Sequence, residues 1–287
     1  MGRAFAVELL ERHGGQGELL LWSRSPASVV GARRELARPG IGRGRIRVAK
    51  SLAEAAEAEV LLACVAEEAL ALLVSALGAL GRPRGRRAPV VLIASGFEPL
   101  APLRRRLGPR YSLGRLHPLV PVLRPAERGR LAGQPFGIEG DARALRAAHG
   151  LVRRVGGQAL LLDGRPQSAA AYHAGASLLG GGLVALFQLA EETMATAVAD
   201  RRALRRALRS FAAQVLDNCA RLGPARALTG PLARGAERVV AGHLEALART
   251  RGARDAYRTL GRTMLALARA RGSIDRAAER RLARLLR

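Results

Sequence analysis

The chain has few aromatic residues, and this scarcity limits what its interior can be made of. Phenylalanine, tryptophan and tyrosine make up 3% of the 287 residues, whereas hydrophobic residues as a whole make up 49%. The core must therefore consist mainly of alanine, leucine and valine, which favours closely packed helices. A chain of this length has room for one large domain or two of ordinary size.

Cysteine is also scarce. The two cysteines, Cys64 and Cys219, lie far apart in apolar stretches, and their spacing is not that of a metal site. They are typical of buried thiols in a reducing compartment. No charged segment followed by an apolar run opens the sequence, so a secretion signal is not predicted. We therefore expect a cytoplasmic protein without a bound metal.

Lysine is almost absent, because Lys50 is the only one, yet basic residues outnumber acidic residues by 48 to 23 and the formal charge is +25. A charge of this size suggests a nucleic-acid function, since basic surfaces bind phosphate backbones. Nearly all of the basicity is arginine, however, scattered without the aromatic residues on which bases stack. With the excess of alanine, glycine and leucine, it indicates the coding bias of a GC-rich genome. We expect no nucleic-acid partner, although affinity for phosphorylated cofactors fits the charge.

Charged residues are missing from Pro166 to Ala190. A run of this length is long enough to cross a bilayer. It also contains His173, two glutamines and the three glycines that begin at Gly180, and it lies in a region predicted to be helical. We favour a buried helix at a domain or dimer interface and expect no membrane span.

Helix and strand patterns alternate in the first half of the chain. Alternation with short connections predicts parallel strands joined by right-handed crossovers, which form a doubly wound α/β sheet. After Gln167 the pattern is all helical. The sequence therefore predicts an α/β domain over residues 1–165 and an all-α domain over residues 166–287. The predicted strands lie at 18–23, 46–49, 60–65, 90–94, 111–117, 136–139 and 159–163, and the later helices at 167–197, 200–221, 232–250, 252–271 and 274–286.

Four segments carry a family resemblance: RLHPL at 115–119, FGIEGD at 136–141, AYHA at 171–174 and ALTGPLARG at 227–235. In this order and spacing they resemble a family of bacterial Rossmann-like proteins with a C-terminal domain of unknown function. That family is similar to pyrroline-5-carboxylate reductases, deazaflavin-dependent NADP oxidoreductases and the 6-phosphogluconate dehydrogenase group. The resemblance covers nearly the whole chain. It implies an N-terminal NAD(P)-binding Rossmann domain and a helical domain that pairs with a second subunit in a homodimer.

The resemblance also bears on the start of the chain. The family pattern begins with a strand and the turn G-x-G-x-x-G, of which Gly2 would be the third glycine. The first strand is absent, so we expect the true start to lie upstream. The alternative is a real truncation with loss of cofactor binding. Because that strand is central in such a sheet, its absence predicts either a gap or a re-paired sheet between residues 18–23 and 60–65.

Cofactor-binding residues are predicted at the carboxyl ends of the strands, where ligands bind in this fold. The turn Ser23-Arg24-Ser25 has no acidic residue for the ribose of NAD. Its arginine and small hydroxyls suit the 2′-phosphate of NADP, so we expect NADP, with NAD as the second choice. A plain turn with Ser25 as helix N-cap remains the alternative. The other predicted cofactor-binding residues are Gly2, Arg3, Cys64, Val65, Ser95 and Gly96, of which the last two also suit a simple turn.

The candidates for the proton donor to a carbonyl or imine are His117, Tyr172 and His173. A histidine in an apolar setting is more often structural, and that interpretation stays open for both histidines. The candidates for substrate binding are Thr229, Arg234 and His243, although Arg234 would also suit a helix cap.

Three positions depart from the family pattern. Gly181 stands where an asparagine is expected, Ala236 where an aspartate is expected, and Val239 where a threonine is expected. The loss of three polar groups favours a divergent or inactive member.

The sequence thus predicts an NADP-dependent oxidoreductase that transfers a hydride to or from a small organic substrate bound between its two domains. One alternative is a non-catalytic relative that binds a nucleotide or a small anion. A more distant alternative is a basic nucleic-acid-binding protein.

Overall fold

The computed structural model describes residues 1–12, 18–36, 46–80, 89–121, 130–165 and 167–287. They form two compact units, Met1–Leu178 and Leu179–Arg287. The division falls within one long helix, whereas the predicted domain boundary at residue 165 lies just before that helix. The elements are α1 (Gly2–Arg12), β1 (Leu19–Leu21), α2 (Pro26–Leu36), β2 (Ile46–Val48), α3 (Leu52–Ala55), β3 (Val60–Ala63), α4 (Glu67–Ala79), β4 (Val90–Ile93), α5 (Leu100–Leu107), β5 (Ser112–Pro118), β6 (Pro135–Gly140), α6 (Ala142–Arg154), β7 (Gln158–Leu161), α7 (Ser168–Met194), α8 (Arg201–Leu222), α9 (Pro224–Ala227), a 3₁₀ turn (Leu232–Arg234), α10 (Glu237–Leu247), α11 (Ala253–Ala270) and α12 (Arg276–Leu285).

The first unit holds two sheets flanked by helices. β1 and β2 form a parallel pair, and the larger sheet has the strand order β3-β4-β5-β6-β7. Every pairing in the larger sheet is parallel except that of β5 with β6, which is antiparallel. The predicted fold class is therefore confirmed: a parallel-dominated α/β sheet followed by a helical region.

A gap separates the two sheets, because no strand pairing joins β1 to β3 within the described ranges. Of the two arrangements that the sequence allowed at this point, the structure shows the gap and not the re-paired sheet. Helix α1 contributes to the cores of both sheets. Its Ala4 and Phe5 pack in the core of the larger sheet, while Ala6 and Val7 pack with Ile46 of the smaller one.

The larger sheet is covered on both faces because alternate side chains of a strand point to opposite sides. Leu92, Leu116 and Ile138 lie in one core, which includes residues of α6. Ile93 and Leu113 lie in the other core, beside α4 and α5. All five side chains are fully buried, and each such burial stabilises the fold by about 1.5–3 kcal/mol. The ends of β4 and β5 therefore stand on a firmly packed base.

Asp141 joins the start of α6 to β5. Its carboxylate accepts hydrogen bonds from the Ala144 and Leu113 N–H groups and from the Ser112 hydroxyl. The Arg104 guanidinium lies 3.0 Å away. Burial by itself raises the pKa of Asp141, but these hydrogen bonds outweigh it and hold that pKa well below its usual range. One side chain thus serves as a helix N-cap and fixes the strand that leads to the site described below.

The second unit differs from the sequence prediction near its middle. The predicted helix over 232–250 is instead a single 3₁₀ turn followed by α10, with α9 before them. Gly235 causes the break, because its φ of +70° is a left-handed conformation that ends the turn. Leu232 and Val240, on either side of the break, both pack into the core of the unit. The short segments on the two sides of the break thus bury apolar side chains in the same core.

Helix α7 is unusual for its exposed apolar surface. It is long and apolar enough, by length and composition, to cross a membrane, and none of its most apolar window is buried in the single chain. Leu178 is 77% exposed and Val184 is 71% exposed. An exposed apolar surface of this size is typical of interaction sites.

Candidate functional site

Strands β5 and β6 place polar side chains at the carboxyl end of β5. Arg115 and His117 are two residues apart on β5, so they lie on the same face. The antiparallel register sets Glu139 opposite Arg115 and Gly137 opposite His117. The pairing of these two strands therefore puts an ion pair beside an imidazole.

Tyr172, near the start of α7, reaches over Gly137 to His117. Its hydroxyl oxygen lies 3.0 Å from His117 Nδ1 and 3.3 Å from the His117 carbonyl oxygen, and the two rings stand at 85°. The backbone N–H of Gly137 also faces the phenol oxygen, which lowers the pKa of Tyr172 and partly offsets the effect of burial. A Cβ atom on Gly137 would lie 2.5 Å from that oxygen, so the contact requires glycine at this position.

His173 and Gly96 complete the cluster. The imidazole centroids of His117 and His173 are 6.0 Å apart, and Phe97 lies edge-on to His173 at 6.1 Å. A Cβ atom on Gly96 would lie 2.9 Å from His173 Cδ2 and 3.0 Å from His117 Nε2. The backbone at Gly96 thus lies so close to both imidazoles that a larger side chain there would clash with them. We refer to His117, Tyr172, His173 and Gly96 as the strand-end cluster.

The surroundings keep His117 and Tyr172 uncharged at neutral pH. Burial, followed by the electrostatic effects of His173 and Arg115, lowers the pKa of His117 from its usual 6.5 to about 4, while Glu67 opposes them. Burial also raises the pKa of Tyr172 to about 12. A neutral imidazole therefore faces a protonated phenol, an arrangement that can hold and pass on a proton.

The turn after β4 is held by the Ser95 side chain. Its hydroxyl donates to Glu67 Oε1 at 2.7 Å, and it accepts from the N–H groups of Phe97 and Glu98 at 3.1 and 3.2 Å. The hydroxyl is thus committed to the turn. The Gly96 backbone remains the part of this turn that faces the imidazoles.

Gly2 and Cys64 meet where α1 begins beside the end of β3. A Cβ atom on Gly2 would lie 3.3 Å from the Cys64 Cβ, and burial raises the pKa of the Cys64 thiol to about 11. Val65, the next residue, is 40% exposed. Arg3 forms an ion pair with Glu35 on α2. The thiol is therefore protonated and packed, and the guanidinium of Arg3 binds a protein carboxylate.

The turn after β1 is open to solvent. Arg24 and Ser25 are exposed, and the Ser25 hydroxyl accepts the N–H of Ser28 at 3.4 Å, as a helix-capping residue would. Beside the turn lies a cavity of about 340 Å³ between α2 and the end of β2, lined in part by Trp22, Ser23, Arg33 and Lys50. An indole with two cations suits an aromatic ligand that carries negative charge.

The three predicted substrate-binding residues all lie in the second unit. Thr229 and Arg234 are exposed near the 3₁₀ turn. His243 on α10 is also exposed, and its Nδ1 lies 3.0 Å from the hydroxyl of Tyr257 on α11. These roles remain predictions. Of the departures from the family pattern, Gly181 lies within α7, Ala236 precedes α10, and Val239 on α10 is 41% exposed.

Sequence reasoning missed Arg115 and Gly137, although both shape the cluster. Arg115 had a detectable signal, because an arginine two residues before a histidine in a buried strand must share its face. Gly137 has no such signal in the sequence, since its importance depends on its position opposite His117 and beneath Tyr172 in the folded chain.

Comparisons with known proteins identify the fold. Residues 134–264 match the family model of a domain of unknown function (DUF2520). No curated protein sequence matches the chain. Protein TM1727 from Thermotoga maritima is similar in structure over 94% of this chain and 96% of its own, with a TM-score of 0.67 and 20% identity.

Two reductases are also similar in structure. For an imine reductase from Pseudomonas sp. the coverage is 98% of this chain and 95% of the other, with a TM-score of 0.64 and 18% identity. For a pyrroline carboxylate reductase from Plasmodium falciparum, solved with NADP bound, it is 100% and 95%, with a TM-score of 0.58 and 9% identity. The chain therefore has the Rossmann-like fold with a helical C-terminal region that such reductases have.

Proposed function

We propose that the protein is a cytoplasmic NADP-dependent oxidoreductase that transfers a hydride between the nicotinamide and a C=O or C=N bond of a small organic substrate. The observation that carries this proposal is the strand-end cluster. In it, an uncharged His117 contacts a protonated Tyr172 at the carboxyl end of β5, beside the Gly96 backbone. The similarity to an imine reductase and to an NADP-bound reductase supports the proposal at the level of the fold.

The residues at the strand ends fit NADP. Gly96 opens the backbone after β4 in the crevice where ligands bind in this fold, and a side chain there would meet both imidazoles. The turn after β1 offers the exposed Arg24 and has no carboxylate to repel a 2′-phosphate. Helix α1 begins at Gly2 beside Cys64, and a helix start favours anionic groups such as a pyrophosphate. These three places would hold the nicotinamide end, the 2′-phosphate and the pyrophosphate.

When bound, the nicotinamide supplies or accepts the hydride, and the chain manages the proton. The Tyr172 phenol has two acceptors within reach, the His117 carbonyl oxygen at 3.3 Å and His117 Nδ1 at 3.0 Å, and in the reactive arrangement that we propose it donates its proton to Nδ1. His117 then carries its own proton on Nε2, the atom that faces Gly96. The Nε2–H group donates a hydrogen bond to the carbonyl oxygen or imine nitrogen and stabilises the negative charge that develops there.

Completing the reduction requires one proton to move along this chain of groups. The Nε2 proton of His117 passes to the substrate heteroatom as Nδ1 accepts the phenol proton of Tyr172. The phenolate that forms is stabilised by the positive charge of Arg115, which favours the ionised form of Tyr172. Water then returns a proton to the phenolate, so that neither residue is consumed.

The proposal is tested by binding and turnover together. Trp22, the only tryptophan, lines the cavity beside the β1 turn, so its fluorescence reports nucleotide binding there. We expect NADPH to quench it at lower concentration than NADH, and Arg24→Gln to reduce that preference by roughly tenfold. We also expect NADPH oxidation with at least one member of a panel of ketones, aldehydes and cyclic imines.

The possible failures have different meanings. Quenching without oxidation of NADPH by any substrate would favour the non-catalytic alternative, in which the fold binds a nucleotide or small anion. If NADPH causes no quenching and is not oxidised with any substrate, the oxidoreductase proposal is overturned altogether.

We further propose that a second copy of the chain covers the apolar surface of α7 and forms a homodimer. The surface bears three exposed leucines, Leu178, Leu179 and Leu186, and the exposed Val184. The glycines at 175 and 180–182 have no neighbouring atom near the position of a Cβ. An uncharged surface with open glycines lets a matching helix approach closely, as a self-complementary dimer contact requires.

Light scattering tests the dimer: the wild-type chain should give twice the chain mass, and the Val184→Arg variant should give the mass of one chain. A wild-type monomer, or a chain that partitions into lipid vesicles, would contradict the dimer.

A further inference from the structure

Arg115 is the largest fully buried side chain in the described part of the protein, with no solvent-exposed surface. The proposed proton path uses it only as a nearby charge. Burying a guanidinium costs several kcal/mol unless its hydrogen bonds are satisfied. A fully buried arginine next to a candidate site therefore calls for a role that its contacts can explain.

The contacts of Arg115 reach two elements. Its Nε donates to Glu139 Oε2 on β6 at 3.2 Å. Its two terminal nitrogens donate to the carbonyl oxygens of Ser95 and Glu98, which begin and end the turn after β4. The planar fork of an arginine can hold three acceptors at fixed angles, whereas a lysine ammonium is a single point of charge. Arg115 thus binds both ends of one four-residue turn.

That turn carries Gly96, the residue whose backbone lies against His117 and His173. The Ser95 hydroxyl, through Glu67, holds the same turn from the side of α4. Arg115 holds it from β5, two residues before His117 on the same strand. Arg115 is therefore the side chain that links the strand carrying His117 to the turn carrying Gly96.

We propose that Arg115 is a positioning residue, which fixes the turn at residues 95–98 so that Gly96 and the His117 imidazole keep the spacing that the reaction needs. This inference rests on the proposed function for its catalytic consequence, but its structural part does not. The role is distinct from catalysis, because Arg115 is buried among protein groups and acts through the turn.

The charge of Arg115 gives a second way to observe it. His117 is faced by Arg115 on its own strand, by Tyr172 and His173 on α7, and by Glu67 on α4. Glu139 on β6 in turn faces Arg115. Because the Arg115 charge lowers the pKa of His117, its removal should raise that pKa.

The experiment uses the full chain and follows both turnover and the NMR titration of the five histidines. Arg115→Met removes the charge and the contacts to the turn, so we expect kcat to fall roughly tenfold with a smaller change in KM, and the pKa of His117 to rise. Arg115→Lys keeps the charge but cannot bind three acceptors. We therefore expect it to lower kcat while leaving the titration of His117 near that of the wild type.

A matched control is Arg104→Met. Arg104 also donates to a backbone carbonyl of β5, that of Leu113, and among the described residues its hydrogen bonds go to Leu113 and Asp141 and not to the turn after β4. We expect this variant to change stability without changing the kcat or the His117 titration. If Arg115→Met does not fold, the double variant Arg115→Met, Glu139→Leu removes both charges at once and is measured in the same way.

Failure of this inference is distinguishable from failure of the proposed function. If Arg115→Met and Arg115→Lys lose stability but keep the wild-type kcat and His117 titration, Arg115 is only a structural residue and the proposal is overturned. If the wild type never oxidises NADPH, the function fails, but hydrogen exchange at the Gly96 and Phe97 amides still tests the positioning role. Faster exchange in Arg115→Lys would support it, and unchanged exchange would refute it.

Discussion

Within the residues that the structure describes, two histidine–tyrosine pairs have almost the same geometry. His117 and Tyr172 are joined by a 3.0 Å contact from Nδ1 to the hydroxyl, with rings at 85°. His243 and Tyr257 have the same 3.0 Å contact, with rings at 89°. The first pair lies at the end of a strand in the first unit, whereas the histidine of the second is exposed on α10.

The difference between the pairs shows that the contact alone does not make a site. The first pair is half-buried. It is surrounded by the Arg115 guanidinium, the His173 imidazole, and Gly96 and Gly137, whose lack of a side chain leaves room for the two rings. Its surroundings determine which group holds a proton and where that proton points. The predictions below test the two pairs, and the units that hold them, against each other.

The largest effect should come from the phenol hydroxyl. Tyr172→Phe removes the proton donor to His117 Nδ1, so we expect kcat to fall about 100-fold or more. Tyr257→Phe makes the same chemical change in the second pair, and we expect a much smaller loss. Steady-state kinetics with NADPH and the best substrate of the panel provide the comparison. Equal losses in the two variants would mean that the first pair has no special role.

The next largest effect should come from the glycine beneath Tyr172. A methyl group on Gly137 would lie 2.5 Å from the phenol oxygen, so Gly137→Ala should displace Tyr172 and destabilise the protein by about 1–3 kcal/mol. Gly150, within α6, has no atom near the position of its Cβ, and Gly150→Ala should stabilise the protein by up to about 1 kcal/mol. Urea unfolding measures both, and a Gly137→Ala variant as stable and active as the wild type would disprove the close contact.

A smaller effect is expected from the helix caps of the two units. Asp141→Ala removes an N-cap that also binds Ser112 and Leu113 of β5, and should cost about 2 kcal/mol. Asp275 caps α12 by accepting the N–H of Ala278 and, unlike Asp141, forms no hydrogen bond with a strand in the described part of the chain, so Asp275→Ala should cost about 1 kcal/mol. Thermal unfolding compares them. A larger loss for Asp275→Ala would show that the link between α6 and β5 contributes little.

The effect confined to acid solution should be the dependence of stability on pH that His117 causes. Its folded-state pKa of about 4 lies below the usual 6.5, so the unfolded chain binds the proton more readily. The stabilisation is therefore complete above about pH 6.5 and is lost as the pH falls towards 4. In urea unfolding between these values, His117→Asn should show a shallower loss than the wild type. Parallel curves would mean that His117 titrates normally.

Much of this fold could be predicted from the sequence because its signals are local. The apolar runs ending at Ser23, Cys64 and Ser95 are short strands followed by turn residues, and β1, β3 and β4 lie within those runs. The motifs around His117 and Tyr172 indicate both residues as candidates. What the sequence could not show was their contact, which depends on α7 lying beside β6.

The remaining features depend on pairing between distant segments. The antiparallel register of β5 and β6 sets Glu139 opposite Arg115, and a single-residue shift would remove that pair. The break before α10 depends on a left-handed glycine within an otherwise helical pattern. Such features come from tertiary structure, so local propensity does not reveal them.

The most direct test of the proposed hydride transfer uses NADPH that carries deuterium at the transferring position of the nicotinamide. We predict that the wild-type chain places deuterium on the carbon of the reduced C=O or C=N bond. The double variant His117→Asn, Tyr172→Phe should bind NADPH but form labelled product at least about 100-fold more slowly. Equal rates of labelled product from the two proteins, or no label in the wild-type product, would contradict a hydride transfer assisted by His117 and Tyr172.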